Sequence, residues 1–396
     1  MTRAPRATGK DDVRRLNQDA VFQVVHRLGP VSRIDIATHL RLSPATVTNI
    51  TSDLIGRGLV FEARKGDAQG VGRKPILLEV DYDAGTVMGV KVSNVGLTCA
   101  LTNLNAEVAH AATYPLPDTR PETVVDAIAA AFADLAPHAA RKVAAVGVDL
   151  PGLVDADRRG VRHSPLLGWE RVPLAELLEE RLGVPVVVEN DVNALALAEA
   201  WYGIGRAHES FLVLTLGRGV GLGLVLAGEV YRGPFGGAGE IGHVLIDPHG
   251  PATRYAAPGT LESYLSDDAL VREARAKVPA FGASDPVERL AALAAEGDAD
   301  ARAVYVEAGR MLGRALAMLV NLLAPGLVVL SGEGLRAAPF LLPSAEAELH
   351  RLAFGDLADR VRLVVEPWGD DAWARGAAAL AASRYLVEAA TAPRGD

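Results

Sequence analysis

Four glycines alternate with other residues at positions 217, 219, 221 and 223, between two apolar stretches of the 396-residue chain. Because glycine lets backbone N–H groups come close to a ligand, a turn of this kind can hold a phosphate. Glycines also serve tight hairpins, so a plain turn between two strands is the alternative interpretation. Three further polar segments lie upstream and downstream of this turn: Val188-Glu189-Asn190-Asp191-Val192-Asn193-Ala194, Ala238-Gly239-Glu240-Ile241-Gly242-His243 and Gly259-Thr260-Leu261-Glu262.

A second set of polar residues, near the N-terminus, is suited to contact with DNA. Ser43-Pro44 predicts the start of a helix, since serine caps helices and proline fits the first helical position. In the first turns of that helix, polar side chains could hydrogen-bond base edges or phosphates. Cations near residues 64 and 74 could contact the DNA backbone or the minor groove. The predicted DNA-binding residues are Arg33, Ser43, Ala45, Thr46, Thr48, Asn49, Arg64, Lys65, Arg73 and Lys74.

The elements that must position these residues form a winged helix-turn-helix (an α+β unit), predicted over residues 13–80. Apolar residues at helical spacing predict three helices up to Gly56, and two short strands follow at 59–62 and 75–80. Helix, short helix, turn, helix and hairpin is the element order of a winged helix-turn-helix. A three-helix module that binds protein is the alternative. Residues 1–12 are polar, and we expect them to be disordered.

Charge is divided unevenly along the chain, whose formal net charge is −9. Residues 1–80 carry 13 Lys and Arg against 8 Asp and Glu, whereas residues 81–396 carry 27 against 41. A basic N-terminal part on an acidic body indicates a polyanionic partner. The ordinary share of apolar and charged residues excludes a wholly disordered or collagen-like chain.

The cysteine content and the apolar runs indicate a cytoplasmic protein without a membrane span. Cys99 is the only cysteine in the sequence, which excludes an internal disulfide and a thiolate metal cage. The N-terminus has no apolar core of signal-peptide length. The longest apolar run, 211–230, is rich in glycine and contains Arg218 and Glu229, so it predicts strands and turns.

From residue 84 onward, pairs of strands alternate with helices, and the pattern occurs twice. The strand pairs are predicted over 87–92 with 97–102 and over 211–216 with 220–226, and the predicted helices include 194–202, 261–278 and 343–352. This order predicts an α/β body of two lobes with a cleft between them. We expect residues 81–190 together with 371–396 to form the first lobe. Residues 191–370 would form the second lobe and carry the dimerisation surface.

Taken together, the motifs resemble those of the ROK family, which joins sugar-responsive repressors and sugar kinases. The resemblance extends over nearly the whole chain. It includes a Gly-Arg-Lys/Arg-Pro turn typical of the repressor branch, found here as Gly72-Arg73-Lys74-Pro75. The resemblance implies a winged helix-turn-helix followed by a two-lobed α/β body with the actin-like, ribonuclease H-like fold.

The resemblance also implies a sugar site in the cleft. The Asn-Asp pair of the family matches Asn190-Asp191, and in the kinases this aspartate is the base that deprotonates the attacking hydroxyl. Glu-x-x-His matches Glu240 and His243, and the next family glutamate matches Glu262. Gly152 is expected to shape the same cleft. Three carboxylates, one amide and one imidazole supply the acceptors and donors that a polyol needs.

One departure from the family pattern argues against an enzyme. In the kinases, the first hairpin carries Asp-x-Gly-Gly-Thr, which holds magnesium and the nucleotide phosphates. Here the aligned residues are Lys91-Val92-Ser93-Asn94-Val95, so a cation replaces the carboxylate and both turn glycines are absent. Phosphoryl transfer depends on positioned metal and phosphate contacts, and we therefore expect no kinase activity and no catalytic residues.

A second departure concerns the structural zinc of the family, which is held by the histidine and three cysteines. With unbroken spacing from His243, those cysteines fall on Thr253, Tyr255 and Thr260. Hydroxyls and a phenol make a poor zinc site, so we expect no zinc and no other cofactor. The loop would then be braced by packing of Pro251, Arg254 and Tyr255, or be mobile.

These observations predict a sugar-responsive transcriptional regulator, most simply a repressor released from operator DNA by a sugar in the cleft. The partners would be operator DNA, a sugar effector and further copies of the chain in a homodimer or homotetramer. Three alternatives stay open: a kinase with an atypical phosphate site at 217–223, an effector-independent DNA-binding protein, and a regulator controlled by a partner protein.

Overall fold

The computed structural model describes residues 10–65, 75–254, 256–366 and 371–392. Arg73, Lys74 and Tyr255, to which the sequence assigns roles, lie outside these ranges, as do the side chains of Arg64 and Lys65. The prediction of disorder over 1–12 is wrong for its last residues, because the first helix begins at Lys10. Residues 1–9 lie outside the described part.

The N-terminal unit packs three helices against a small antiparallel sheet. Its core consists of fully buried apolar side chains from each helix and from the hairpin, among them Phe22, Ile36, Leu54 and Leu78. The sheet has the strand order β1-β3-β2. The elements are α1 (Lys10–Leu28), β1 (Val31–Ser32), α2 (Arg33–Leu40), α3 (Pro44–Gly56), β2 (Val60–Lys65) and β3 (Ile76–Val80).

Serine caps fix the two short helices of this unit. Ser32 Oγ accepts the Asp35 N–H at 3.2 Å, and Ser43 Oγ accepts the Thr46 N–H at 3.1 Å. Each bond satisfies one backbone donor that a helix start leaves open. The predicted cap at Ser43 is therefore confirmed, with Pro44 as the first residue of α3.

A five-stranded mixed sheet, in the order β11-β7-β4-β5-β6, forms the centre of the first lobe. Strands β11, β7 and β4 are parallel, while β5 and β6 are antiparallel additions. A separate small sheet of β8 to β10 lies at its margin. The elements are β4 (Thr86–Val92), β5 (Gly96–Asn103), β6 (Val108–Pro115), α4 (Pro121–Leu135), β7 (Val143–Leu150), β8 (Leu153–Val154), β9 (Val161–Ser164), β10 (Trp169–Val172), α5 (Leu174–Leu182) and β11 (Val186–Asn190).

A second five-stranded sheet, in the order β14-β13-β12-β15-β16, forms the centre of the other lobe. A large apolar cluster joins this sheet to α8 through α11. The elements that follow β11 along the chain are α6 (Asp191–Trp201), β12 (Phe211–Leu216), β13 (Val220–Leu226), β14 (Glu229–Val230), α7 (Glu262–Leu265), α8 (Asp267–Lys277), α9 (Val287–Glu296), α10 (Ala299–Leu323), β15 (Leu327–Ser331), α11 (Ala338–Leu352), α12 (Leu357–Arg360), β16 (Arg362–Val365) and α13 (Asp371–Thr391), the last of which packs on the first sheet.

Glycines on the strands let two helices lie very close to the sheets. A Cβ atom at Gly89 of β4 or Gly147 of β7 would collide with the backbone of α13, which returns to the first sheet. On β13, a Cβ atom at Gly223 would lie 2.6 Å from Ala196 Cβ of α6, and one at Gly221 would collide with Val192. Helices α6 and α13 also pack against each other.

Several element bounds differ from the sequence predictions for local reasons. α6 begins at Asp191 instead of 194, because the Asn190 side chain caps it. The helix predicted over 261–278 is two helices, since Ser266 is extended and caps α8. α11 begins at Ala338 and carries Pro343 within it, whereas the sequence placed its start at that proline. Within the described residues, no helix is both long enough and apolar enough to cross a membrane.

Candidate functional site

Asn190 stands at the junction of β11 and α6 and fixes the geometry of the cleft there. Its Oδ1 accepts the N–H groups of Val192 at 3.0 Å and Asn193 at 3.2 Å, and its Nδ2 donates to Gly152 O at 3.1 Å. The amide thus caps the helix and ties the loop after β7 to it. Gly152 has φ +144°, a conformation that favours glycine. Asn190 and Gly152, which were both predicted for the sugar site, are therefore in direct contact. The Asn190 side chain is used to position the backbone around it.

Asp191, the first residue of α6, forms an ion pair with Lys91. The Lys91 Nζ lies 2.6 Å from Asp191 Oδ2, and the other carboxylate oxygen accepts the Val192 N–H at 2.9 Å. Both side chains are largely buried. The aligned register of β4 with β7 places Lys91 beside Asp149, with Nζ 3.8 Å from Asp149 Oδ1. The Lys91 ammonium also lies 4.5 Å from the centroid of the Trp373 ring.

The electrostatics of this cluster keep Lys91 charged. Burial alone would lower the pKa of Lys91, but the carboxylates of Asp191 and Asp149 outweigh it and raise that pKa. The pKa of Asp149 is raised well above its usual value because the carboxyl group is completely buried, an effect that Lys91 only partly offsets. Sequence reasoning identified Lys91 as a departure but missed Asp149 and Trp373 as its partners.

Glu240, His243 and Glu262 lie on the second lobe, near Asp191. Glu240 Oε2 and His243 Nε2 are 3.9 Å apart, and both side chains are about half exposed. Burial raises the pKa of Glu240; His243 opposes this, and the carboxylates of Asp191 and Glu262 add to it. Glu262 Oε2 accepts the Val220 N–H at 2.9 Å. The structure therefore places Glu240 near His243, Asp191 and Glu262.

The positions aligned with the family's zinc ligands do not fit that metal. Thr253 Oγ1 accepts the Ala256 N–H at 3.1 Å, and Thr260 Oγ1 donates to Ala257 O at 2.8 Å. Both hydroxyls therefore serve turns of the loop, and neither is a ligand type that structural zinc sites use. Across the described ranges, no group of three or more His, Cys, Asp or Glu side chains is arranged to hold a metal.

Other residues brace the loop that zinc would brace. Tyr264 donates to Asp247 Oδ2 at 2.6 Å, and Arg272 donates to Ala252 O at 3.1 Å and Ser263 O at 2.9 Å. Of the residues predicted for this role, Pro251 contributes its carbonyl, which accepts the Gly259 N–H at 2.8 Å. Sequence reasoning missed Tyr264 and Arg272, since nothing in the spacing links them to the loop.

Direct contacts surround the glycine-rich turn at 217–223. Arg218, in the glycine-rich turn, donates to Asn94 Oδ1 at 2.8 Å and so joins the hairpin turns of the two lobes. A Cβ atom at Gly217 would lie 2.5 Å from Glu333 Oε2. Lys91 is paired to Asp149 and Asp191, so a cation already occupies the carboxylates there. The residues present therefore do not fit magnesium and a nucleotide.

The predicted DNA-contact residues of α3 are accessible. Ser43, Ala45, Thr48 and Asn49 are exposed, and Thr46 is partly exposed. Thr48 Oγ1 donates to Pro44 O at 2.8 Å, within its own helix.

Arg33 is held by its own unit. Its Nε donates to Thr51 Oγ1 at 3.0 Å, and its guanidinium pairs with Glu62 at 3.0 Å. A phosphate contact by Arg33 would have to compete with these bonds.

A buried contact around His26 joins the N-terminal unit to the body. His26 Nδ1 lies 2.8 Å from the Tyr82 hydroxyl, and its ring centroid is 4.1 Å from that of Trp201 at the end of α6. Burial, with Arg206 and Arg27 nearby, lowers the pKa of His26 to about 3. We call this contact the His26 seam.

Three arginines fasten the same seam through backbone carbonyls. Arg206 donates to His26 O, Arg27 to Gly228 O and Arg57 to Ala389 O of α13, each at 2.8 Å.

Comparisons with known proteins identify relatives over most of the chain. A family model described as "ROK family" matches residues 87–384. The N-acetylglucosamine repressor of Escherichia coli O157:H7 is 33% identical over 348 residues, 85% of each chain. The xylose repressor of Bacillus subtilis (strain 168) is 27% identical over 377 residues, 94% of this chain and 97% of that one.

Solved structures match in the same way. A crystal structure of a ROK family transcriptional regulator, a homologue of the E. coli Mlc protein, has a TM-score of 0.82 at 28% identity. It covers 96% of this chain and 98% of its own. A ROK family glucokinase from Streptomyces griseus, solved with glucose and AMPPNP, has a TM-score of 0.66 at 30% identity, covering 76% of this chain and 100% of its own.

Proposed function

Since this chain belongs to the ROK family, we propose that it is a sugar-responsive DNA-binding repressor. The observation that carries the proposal is the exposed, serine-capped start of α3 on a unit with the element order of a winged helix-turn-helix. Polar side chains at this position are suited to the major groove. The repressors named above match over 85% or more of this chain, which supports the same reading.

The proposed effector site is the cleft between the lobes. Asp191 on one side and Glu240, His243 and Glu262 on the other offer hydrogen-bond acceptors and an imidazole to a polyol. A sugar bound between them would favour one separation of the lobes over another. We propose no zinc and no nucleotide in this protein, because the residues at both positions have other partners.

Helices α6 and α13 supply a route from the cleft to the DNA-binding unit. α6 begins with Asp191 and ends at Trp201, whose ring contacts that of His26 at a tilt of 45°. Near its start, α13 carries Trp373 against Lys91, and near its end Ala389 O accepts the bond from Arg57. A sugar that shifts these helices would move the seam, and typical couplings of roughly 1–3 kcal/mol change DNA affinity about 5- to 150-fold.

We further propose that the protein acts as a homodimer or homotetramer, since repressors of this architecture read two half-sites. A change in the separation of two recognition helices is then the means of release. The proposal includes no phosphoryl transfer, because Lys91 stands where the kinases of this family carry a metal-binding aspartate.

Fluorescence anisotropy of the full chain on labelled DNA from upstream of its own gene tests the proposal. We expect binding that weakens with salt and is reversed by one sugar from a panel of free and phosphorylated sugars. The Asp191→Asn variant is the control and should bind DNA but ignore the sugar. ADP release in the presence of ATP and a hexose, lost in the same variant, would instead establish the kinase.

A further inference from the structure

We propose that Lys91 is a specificity-determining residue: its ammonium is the resident cation of a carboxylate pocket and restricts the cleft to an uncharged sugar bound without metal. The pocket is formed by Asp149 on β7 and Asp191 on α6, whose carboxylate oxygens lie 3.8 Å and 2.6 Å from the Lys91 Nζ. Trp373 of α13 covers the ammonium. That the ligand is a sugar rests on the proposed function. That Lys91 is the cation of this pocket does not.

Two carboxyl groups, Asp149 and Asp191, face the Lys91 ammonium, which is the cation that balances them. Asp149 is completely buried, and neither of its carboxylate oxygens has a hydrogen-bond partner among the described residues. Its nearest compensating charge is the Lys91 Nζ, 3.8 Å away. A buried carboxyl group without a hydrogen bond is costly, and the facing ammonium offsets part of that cost. Removing the ammonium would leave converging carboxylates, the oxygen ligands that hard divalent cations prefer.

The same ion pair decides which ligand charge the cleft accepts. Lys91 and Asp191 form one ion pair, so a ligand that meets Asp191 meets a pair without net charge. Glu240 lies on the other lobe, and its charge interacts with those of Asp191 and Glu262. A sugar phosphate would face these carboxylates at short range, and like charges in a partly buried site repel strongly. An uncharged hydroxyl can donate to each of them.

Manganese binding tests the cation role of Lys91, and Mn²⁺ is the probe. The Lys91→Met variant removes the charge at similar length, and Lys91→Arg keeps it. We expect Mn²⁺ to raise the melting temperature of Lys91→Met and to bind it about tenfold or more tightly than the wild type. Lys91→Arg and Lys91→Met/Asp149→Asn should show no such gain. A folded Lys91→Met protein with wild-type Mn²⁺ affinity would overturn the proposal. If Lys91→Met folds only in the presence of Mn²⁺, the proposal is supported.

Sugar binding in the presence of EDTA tests the ligand class. The wild type is heated with glucose, xylose or N-acetylglucosamine and with their phosphates, and the shift in melting temperature is compared. We expect a free sugar to stabilise the protein in EDTA and its phosphate to do so much less. Tighter binding of a phosphate, or a requirement for Mg²⁺, would overturn this part. If no sugar binds, the effector proposal fails, while the Mn²⁺ experiment still decides the role of Lys91.

Discussion

At the scale of single residues, Glu240 is the most direct probe of the sugar site. Its side chain is about half exposed, so Glu240→Gln should leave folding and DNA affinity unchanged. The amide cannot accept from a sugar hydroxyl as a charged carboxylate does, and we expect the sugar response to be lost. Anisotropy on operator DNA with and without the effector measures this, and a normally responding variant would contradict the assignment.

His26 gives a pH-dependent prediction for the seam. Burial lowers its pKa to about 3 from the ordinary 6.5 of an exposed histidine, so the unfolded chain takes up the proton first as the pH falls. Stability from this group is therefore complete above pH 6.5 and decreases toward pH 3, by about 2 kcal/mol between pH 7 and pH 5. Urea unfolding at both pH values measures the loss. His26→Asn, which does not titrate there, should reduce it, and an unchanged pH dependence would contradict the prediction.

Residue types and spacing predicted several side chains of the proposed sugar site. They did not predict which charged side chains balance Lys91. Asn190, Asp191, Glu240, His243 and Glu262 were found because short motifs carry them. The partners of Lys91 come from widely separated segments, and only the β4–β7 register and the return of α13 bring them together. Spacing along one chain contains no such information.

At the scale of elements, the alternating glycines of β13 serve helix packing. Gly223→Ala should destabilise the protein by about 1–3 kcal/mol, because its new methyl would press on Ala196 of α6. Gly56→Ala, at the end of α3 where nothing lies within 4 Å, is the control and should be neutral or slightly stabilising. Denaturant midpoints compare the two. Equal stability of both variants would show that α6 can move away from the sheet without cost.

The base recognition that we propose also belongs to one element, α3. Asn49→Ala removes an exposed amide from its solvent face and should cost about 1–3 kcal/mol of discrimination if a base contact is lost. Competition between operator and mismatched DNA measures this loss. Equal weakening on every sequence would instead assign Asn49 to a phosphate.

Strongly patterned elements were predictable, and short or exposed ones were not. The buried strands and the capped helices of the N-terminal unit follow from apolar spacing and serine caps. β6 was missed because most of its residues are exposed and it has no apolar alternation. β8 to β10 were missed because they have only two to four residues each.

At the scale of the whole molecule, the His26 seam should transmit the sugar signal. The double variant Arg27→Ala/Arg206→Ala removes two of its bonds to backbone carbonyls while leaving the cleft intact. We expect unchanged sugar affinity but a DNA response reduced from the usual 5- to 150-fold range toward about one. Calorimetry with the sugar and anisotropy with DNA separate the two effects. A full DNA response in this variant would rule out the seam as the route.

Across the seam, the three arginines all bond to backbone carbonyls; among the described residues, their one side-chain partner, Asp53 of Arg57, belongs to the same N-terminal unit as Arg57. Every residue type offers the same carbonyl, so the residues at the accepting positions can change without loss of the bond. An N-terminal unit attached in this way is interchangeable. Another DNA-binding unit could replace it over evolutionary time, provided that these arginines and the aromatic contacts of His26 are kept. New operators could then be paired with an old sensor without redesigning either.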